Sequence, residues 1–150
     1  MRLRDLLDES VVKVGLESVD KEECFEELID LLVRAGRLAE RGHALEAITV
    51  REATATTGIG RGCAVPHGKH PSIKTLTVAL GTSQDGIEFD AVDGKPVHLV
   101  VLILANPDDP GPHVRTLAEV VRLFRLPGFY NTMVAAHSAR ELLDAIDAAE

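Results

Sequence analysis

The stretch Val97-His-Leu-Val-Val-Leu-Ile-Leu-Ala105 is a nearly continuous run of apolar residues. Strands that are covered on both faces have this composition, whereas strands with one solvated face alternate apolar and polar residues. The run is also far too short to cross a bilayer. The sequence therefore predicts a central β-strand with other elements packed against both of its faces.

Weaker strand patterns lie on the N-terminal side of this run. Residues 75–82 alternate apolar residues with polar or small ones, which indicates a strand buried on one face. Turns are predicted at Asp85-Gly86 and Asp93-Gly94, with a short strand over 87–89 between them. Residues 11–15 form a less regular pattern, which indicates a short edge strand.

Helical spacing is present in two stretches before these strands. Asp20 and Glu23 have the spacing of a capping box, so they predict the start of a helix that ends at Gly36. A second helix is predicted from about residue 38 to residue 51. The apolar face of the first helix contains Phe25, Leu28, Ile29 and Leu32.

Three further helices are predicted after the central strand. A loop over 106–112 has its last proline near the start of a helix that is broken at Pro127. A short helix follows over 129–136, and a final helix begins at Ser138, with Glu141 completing a second capping box. The predicted apolar stripe of the first of these three helices is Val114, Leu117, Val121 and Phe124.

This order of elements predicts an α/β fold with a single mixed β-sheet flanked by helices on both faces. The order of the strands within the sheet does not follow from these patterns. The sequence contains no internal repeat, no low-complexity segment and no linker. Residues 1–150 are therefore expected to form one domain.

Composition excludes several classes of protein. The net charge of −8 argues against binding to nucleic acid or to an anionic membrane, since both require cationic surface. No apolar run of the signal-peptide type follows the N-terminus, so we expect a cytoplasmic protein that does not insert into membranes. A local basic cluster is nevertheless predicted around Arg51, Arg61, Lys69, His70 and Lys74.

The segment over residues 54–68 is predicted to lack regular structure. Its sequence, Thr-Ala-Thr-Thr-Gly-Ile-Gly-Arg-Gly-Cys-Ala-Val-Pro-His-Gly, contains four glycines. Glycine permits backbone conformations that other residues avoid and lets amide groups approach a ligand closely. The segment is therefore a candidate site for anion chemistry.

Two histidines have contexts that suit phosphoryl chemistry. His67 follows Pro66 at the end of this segment, and an imidazole with a pKa near ~6.5 is largely neutral and nucleophilic at cellular pH. His113 lies at a predicted helix N-terminus, where free N–H groups favour an anion. Arg51 and Arg61 bracket the segment and are expected to offer guanidinium groups to the same anion.

Alternative interpretations of these residues remain open at this point. A Pro-His-Gly sequence also fits an ordinary exposed loop histidine. A metal site is not expected, because no carboxylate or cysteine stands at ligand-like spacing from His67 or His113. Residues 58–62 lack the Gly-Lys-Ser/Thr ending of a nucleotide-binding loop, so no cofactor is expected either. His98 interrupts the central strand and is expected to have a hydrogen-bonded structural role.

Three sequence patterns together resemble one known family. Residues 51–68 have the pattern Arg-Glu-Ala-x-x-Thr-Thr-Gly-Ile-Gly-x-Gly-x-Ala-Val-Pro-His-Gly, and residues 86–97 have the pattern Gly-Ile-x-Phe-Asp-Ala-x-Asp-Gly-x-Pro-Val. Pro112-His113 and Leu117-Ala118 supply the third pattern. The chain resembles the EIIA domains of the phosphoenolpyruvate:sugar phosphotransferase system (PTS), of the fructose/mannitol type that includes the nitrogen-regulatory EIIA.

The resemblance implies a mannitol-type EIIA-like fold and a phosphocarrier function without a metal or other cofactor. It implies that His67 accepts a phosphoryl group on Nε2 from HPr or a paralogue. His113 would assist the phosphorylated state, and Arg51 would hold the phosphoryl charge. The acceptor would be an EIIB component for sugar uptake. In the alternative, nitrogen-type reading, the phosphorylation state would control binding to a regulated protein.

Overall fold

In the computed structural model, which describes residues 2–150, six strands form one mixed β-sheet. Strand β1 pairs in parallel with β5, and β5 pairs in antiparallel fashion with β6. On its other side, β6 pairs in parallel with both β3 and β4, and β3 pairs with β2. The strands are β1 (Val12–Val14), β2 (Gly58–Gly60), β3 (Cys63–Ala64), β4 (His67–Lys69), β5 (Thr77–Ile87) and β6 (Val97–Ala105).

Five α-helices cover the two faces of this sheet, which confirms the predicted α/β class. Helices α1 and α2 contact each other, with α1 against β5 and α2 against β4. Helices α3 and α4 pack against β6, and α5 packs against β1. The helices are α1 (Lys21–Arg34), α2 (Arg41–Thr54), α3 (Pro110–Arg125), α4 (Phe129–Ala135) and α5 (Ala139–Ala149), and two short 3-10 turns, Leu3–Leu6 and Glu9–Val11, precede β1.

The apolar run that predicted a central strand forms β6. Each of its residues from Leu99 to Leu104 is completely buried, because strands lie on both of its edges and helices on both of its faces. His98 is held within this strand by a hydrogen bond between its Nδ1 and the carbonyl oxygen of Ser83, at 2.8 Å. The predictions for the strand and for the structural role of this histidine are confirmed.

Both predicted capping boxes are present. The Asp20 side chain accepts a hydrogen bond from the backbone N–H of Glu23 at 2.9 Å, and the Glu23 carboxylate accepts from the N–H of Val19 at 2.9 Å. At α5, Ser138 Oγ accepts from the N–H of Glu141 at 3.1 Å. These side chains satisfy N–H groups that have no partner within the helix, so they fix where each helix begins.

The prediction that residues 54–68 lack regular structure is wrong. Helix α2 extends to Thr54, and three short strands, β2 to β4, lie in the following segment up to Lys69. Strands β3 and β4 pair with β6, about 35 residues later in the chain. The hydrogen bonds that make β3 and β4 regular strands come from β6, so the glycine content of residues 54–68 did not predict them.

The predicted turn at Asp85-Gly86 is also wrong, because β5 continues to Ile87. The pairing of β5 with β6 shifts in register between Thr82 and Ile87, and Gly86 has a φ of +91° at this irregularity. A bulge needs a residue that tolerates positive φ, and glycine supplies it without ending the strand. The separate short strand predicted over 87–89 is therefore absent, whereas the Asp93-Gly94 turn is confirmed by the bond from Gly94 N–H to the Ala91 carbonyl at 2.9 Å.

The buried stripe of α3 is displaced by one residue from the predicted one. Val114 is 62% exposed, and Leu117 and Phe124 are only half-buried. Helix α3 also begins at Pro110, two residues before the proline that was expected near its start. The predicted stripe and the stripe one residue before it both contain apolar residues, so the sequence did not distinguish them. Packing of α3 against β6 buries the earlier one. The buried residues are His113, Thr116, Val120 and Leu123.

Candidate functional site

His67 is fixed at the start of β4 by a contact with its own segment. Its Nδ1 lies 2.8 Å from the carbonyl oxygen of Val65. A carbonyl only accepts hydrogen bonds, so Nδ1 carries the proton and the neutral ring keeps its lone pair on Nε2. The ring is half-buried, and pairing of β4 with β6 at Ile103 holds the backbone beneath it.

His113 lies next to His67 although 46 positions separate them in the sequence. The two ring centroids are 5.5 Å apart and the rings are inclined at 66°. His113 is 3% exposed on the first turns of α3. Its Nε2 is buried and makes no hydrogen bond to any residue in the range 2–150. The structure thus brings together the two histidines that the sequence singled out.

Burial keeps both imidazoles neutral. It lowers the pKa of His67 below its ordinary value, and nearby Arg51 and Lys69 act in the same direction. The Val65 carbonyl and the Glu52 carboxylate oppose this shift without reversing it. Burial, followed by the influence of His67 and Lys69, lowers the pKa of His113 to about 4. A neutral imidazole is the form of histidine that can act as a nucleophile.

Arg51 lies at the C-terminal end of α2, on the edge of the same cavity. Its Nη1 donates to Thr54 Oγ1 at 3.1 Å and to the carbonyl oxygen of Ala55 at 2.9 Å. These contacts place a permanently charged guanidinium beside His67. Arginine is suited to an incoming phosphoryl group because its planar fork can bind two oxygens at once.

An open cavity of about 540 Å³ joins these side chains. Its walls are the C-terminal half of α2, strand β4 with the residue after it, and the N-terminal part of α3. Two exposed apolar side chains stand in its lining, Val50 at 61% and Val114 at 62% exposure. The cavity therefore combines reactive and charged groups with apolar surface.

The chain was next compared with known proteins. Residues 5–149 match the family model of the phosphoenolpyruvate-dependent sugar phosphotransferase system, EIIA 2. The chain belongs to this family. The resemblance inferred from the three sequence patterns is thereby confirmed.

Relatives of this EIIA chain include sugar-specific and nitrogen-regulatory proteins. The fructose-specific EIIA component of Haloferax volcanii is 36% identical over 126 residues, covering 84% of this chain and 82% of the relative. The fructose-specific EIIABC component of Bacillus subtilis is 33% identical over 147 residues, or 98% of this chain, which spans only 23% of that protein's length. The solved IIA-Ntr of Neisseria meningitidis aligns with a TM-score of 0.88 at 29% identity, covering 96% of this chain and 98% of that one.

The glycine after His67 has a packing role in this EIIA chain. A Cβ atom on Gly68 would lie 2.7 Å from the backbone carbon of Ala47. Helix α2 therefore approaches β4 more closely than any side chain would allow. Gly68 thereby allows Arg51 of α2 and His67 of β4 to reach the same cavity.

The predicted basic cluster is only partly assembled. Arg51, Lys69 and His70 line the cavity of His67. Arg61 instead lies in the β2–β3 turn, where its N–H donates to Asp93 Oδ2 at 3.0 Å, and it lines a separate cavity against the C-terminal part of α3. Lys74 is absent from the lining of the cavity at His67. Arg61 is therefore not placed to share an anion with Arg51.

Sequence reasoning missed a buried carboxylate beside this site. Glu52 is 6% exposed and accepts hydrogen bonds from both the N–H and the hydroxyl of Thr57. A signal for it was available, because Glu52 follows Ile48 by four positions and so shares the buried face of α2.

Metal-binding clusters and membrane-spanning helices are both absent from residues 2–150. Among residues 2–150, no group of three or more His, Cys, Asp or Glu side chains is arranged to hold a metal ion. Within the same range, no helix has the length and apolar character that a bilayer span requires.

Proposed function

We propose that this chain is a protein-histidine phosphocarrier, with His67 Nε2 as the atom that carries the phosphoryl group. The observation that carries this proposal is the tethered ring of His67, whose Nδ1 is held by the Val65 carbonyl. This bond leaves the nucleophilic nitrogen available in an open cavity that also contains His113 and Arg51. Family membership supports a phosphotransfer function.

The transfer is balanced in atoms and charge. The lone pair of His67 Nε2 forms a new N–P bond while the N–P bond to the imidazole of a phosphorylated HPr-type donor breaks. The donor phosphohistidine is protonated on its other ring nitrogen, so its imidazole leaves with the bonding electron pair as a neutral ring. The His67 ring, which keeps its Nδ1 proton, takes over the positive ring charge. Both nitrogens are imidazoles, so the step is close to thermoneutral and reversible. Positioning and charge stabilisation then suffice for catalysis.

Arg51 and His113 would act on the phosphoryl oxygens. The Arg51 guanidinium would neutralise charge on the transferring group. A dianionic phosphoryl group on His67 would raise the proton affinity of His113, whose pKa in the free protein is about 4. A protonated His113 would donate from both ring nitrogens, so that Nε2, which has no partner among residues 2–150, would donate to a phosphoryl oxygen.

The surroundings of the cavity favour a protein as the partner. Val50 and Val114 expose apolar surface on two sides of His67. Two macromolecules must dock in turn on the same histidine, and exposed apolar side chains beside a reactive group provide such a contact. We assign HPr or a paralogue as donor and EIIB as acceptor. The fructose-specific EIIABC relative supports the EIIB assignment.

A regulatory function is the second candidate, and a specific observation favours it. The structural match to IIA-Ntr covers almost the whole of both chains. In that case the phosphorylated and unphosphorylated forms would bind a target protein differently, and no sugar would be moved. The higher identity to the fructose-specific EIIA component favours the sugar-transport reading.

Phosphoryl transfer from phosphoenolpyruvate through enzyme I and HPr, followed by intact mass, tests the proposal. We expect an acid-labile gain of one phosphoryl group, which is lost in His67→Ala and retained in His137→Ala as a matched control. Full labelling of His67→Ala would reject His67 as the carrier. Transfer from the labelled chain to an EIIB protein would support the sugar-transport function over the regulatory one.

The role of His113 is tested by separating the two half-reactions. We expect His113→Gln to accept the phosphoryl group from HPr at a reduced rate and to pass it onward more slowly still, since the stabilising donor is lost. Rates of the two half-reactions, measured by quenched-flow labelling, check this. Unchanged rates in both directions would remove the proposed role.

A further inference from the structure

Glu52 is a buried carboxylate that the transfer chemistry does not use directly. Its Oε1 accepts from the hydroxyl of Thr57 at 2.6 Å, and its Oε2 accepts from the Thr57 N–H at 2.9 Å. Burying a carboxylate is costly unless it is hydrogen-bonded and paired. Such a group is expected to order the segment that bonds to it.

The bonds of Thr57 continue as far as the reactive histidine. The Thr57 carbonyl accepts a hydrogen bond from the N–H of Val65 at 3.0 Å. The Val65 carbonyl then accepts from Nδ1 of His67 at 2.8 Å. Three successive contacts therefore connect the Glu52 carboxylate on α2 to the imidazole on β4.

Lys21 lies beside the Glu52 carboxylate, at the opposite end of these contacts from His67. Its Nζ lies 3.6 Å from Glu52 Oε2 and 3.4 Å from Asp90 Oδ2. The ammonium group offsets the negative charge of the buried carboxylate, which accepts hydrogen bonds from both groups of Thr57. Helix α1, which carries Lys21, thus helps to fix α2 and the segment after it.

We propose that Glu52 is a positioning residue, which acts through Thr57 and the Val65 backbone to hold His67 with Nδ1 protonated and Nε2 toward the cavity. The proposal rests on the phosphocarrier function described above. The partner of one ring nitrogen decides which nitrogen carries the proton. If the Val65 carbonyl moves, Nε2 can take the proton, and it then presents an N–H group in place of a lone pair.

The test compares Glu52→Ala, Glu52→Gln and Thr57→Val with Glu22→Ala, which removes an exposed carboxylate on α1 outside the cavity of His67. Long-range ¹H–¹⁵N correlation spectra report which nitrogen of His67 is protonated, without any phosphoryl donor. Phosphoryl transfer from HPr gives kcat and KM separately, and the melting temperature reports folding. Glutamine keeps an acceptor for the Thr57 N–H, so Glu52→Gln serves as the conservative rescue.

In Glu52→Ala we expect a smaller Nδ1–H population and a decrease of kcat on the order of tenfold, with KM changed by less than about twofold. Glu52→Gln should recover most of the Nδ1–H population and of kcat, and Glu22→Ala should match the wild type. If Glu52→Ala does not fold, Thr57→Val, which removes one contact only, should shift the tautomer and kcat in the same direction.

If Glu52→Ala folds and has the wild-type Nδ1–H population at His67 and the wild-type kcat, the proposal is overturned. An unfolded Glu52→Ala combined with an unchanged Thr57→Val would overturn it too, since Glu52 would then serve stability alone. A wild-type protein that shows the Nδ1–H tautomer but is never labelled would reject the phosphocarrier function, and the spectra of the variants would still decide the positioning role.

Discussion

Helices α1 and α3 have similar length but bury different kinds of side chain. The buried face of α1 is apolar, with Leu28 and Ile29 fully buried, and its first turn is capped by Asp20. The first turns of α3 bury His113 and Thr116 and have no side-chain cap. Neither His113 Nε2 nor Thr116 Oγ1 has a hydrogen-bond partner among residues 2–150.

This difference means that the first turns of α3 are stabilised less than the first turns of α1. Apolar burial and a satisfied cap both stabilise α1. Unpartnered buried polar groups destabilise α3, and a buried histidine resists protonation. This loss of stability falls on α3, the helix that carries His113. Substitutions in α1 and α3 test this difference in stability.

The largest expected effect is on the apolar face of α1. Leu28→Ala deletes a fully buried side chain, so we expect the free energy of unfolding to fall by about 3 kcal/mol. Urea denaturation measures this loss. Val114→Ala on the exposed face of α3 is the control, with an expected change of at most about 0.5 kcal/mol. Equal losses in the two variants would remove the contrast.

The next effect is the pH dependence that His113 imposes. Its pKa of about 4 lies below the ordinary value of 6.5, so between these values the unfolded chain binds more protons than the folded one. The free energy of unfolding must therefore decrease as the pH falls through this range. His113→Gln abolishes this contribution. Between pH 7 and pH 4.5 we expect the variant to lose about 2 kcal/mol less than the wild type.

Urea denaturation of both proteins at the two pH values checks this prediction. The difference between the two proteins reports His113 together with its effect on the adjacent His67, because the remaining ionisable groups are common to both. An identical loss in the variant would mean that His113 takes up its proton in the folded protein as readily as in the unfolded chain.

A smaller effect is expected at the helix caps. Asp20→Ala removes the acceptor for the Glu23 N–H, so it should destabilise the protein by about 1 kcal/mol. Asp109 occupies the equivalent position before α3 and makes no such bond. Asp109→Ala should therefore cost at most about 0.5 kcal/mol. Thermal and urea unfolding of the pair measures the difference, and a costlier Asp109→Ala would contradict this account of α3.

The smallest effect has the opposite sign. Thr116→Val replaces a buried hydroxyl, which has no partner in the described chain, by a methyl group of similar size. We expect an increase in the free energy of unfolding of about 0.5 kcal/mol. Denaturant titration with replicate error below this value is required. A clear loss of stability would show that the hydroxyl is hydrogen-bonded in solution.

Much of the scaffold could be predicted from short-range patterns. The apolar run of β6 and the two capping boxes lie where the sequence placed them. The pattern at 85–86 failed because β5 continues through an irregularity there and pairs with β6 again at Ile87. The pattern at 54–68 failed because pairing with β6 outweighed the local glycine preference. Local propensity is weak compared with strand pairing of this kind.

For the candidate site, the sequence singled out His67, His113 and Arg51, and these three share one cavity. It also grouped Arg61 with them, although the β2–β3 turn carries that side chain to another surface. Glu52 was overlooked, because a charged residue at the end of a helix is usually solvated and its burial depends on the segment that follows.

The sequence by itself determined the identity of the family and the α/β class, and it singled out His67 and His113. These properties depend on residue types and on spacing within one segment. The tertiary structure alone decided which stripe of α3 faces the sheet, and it joined Glu52 to His67 through Thr57 and Val65. Such features arise from contacts between segments far apart in the chain, where the packing of helices on a shared sheet sets each side chain's partner.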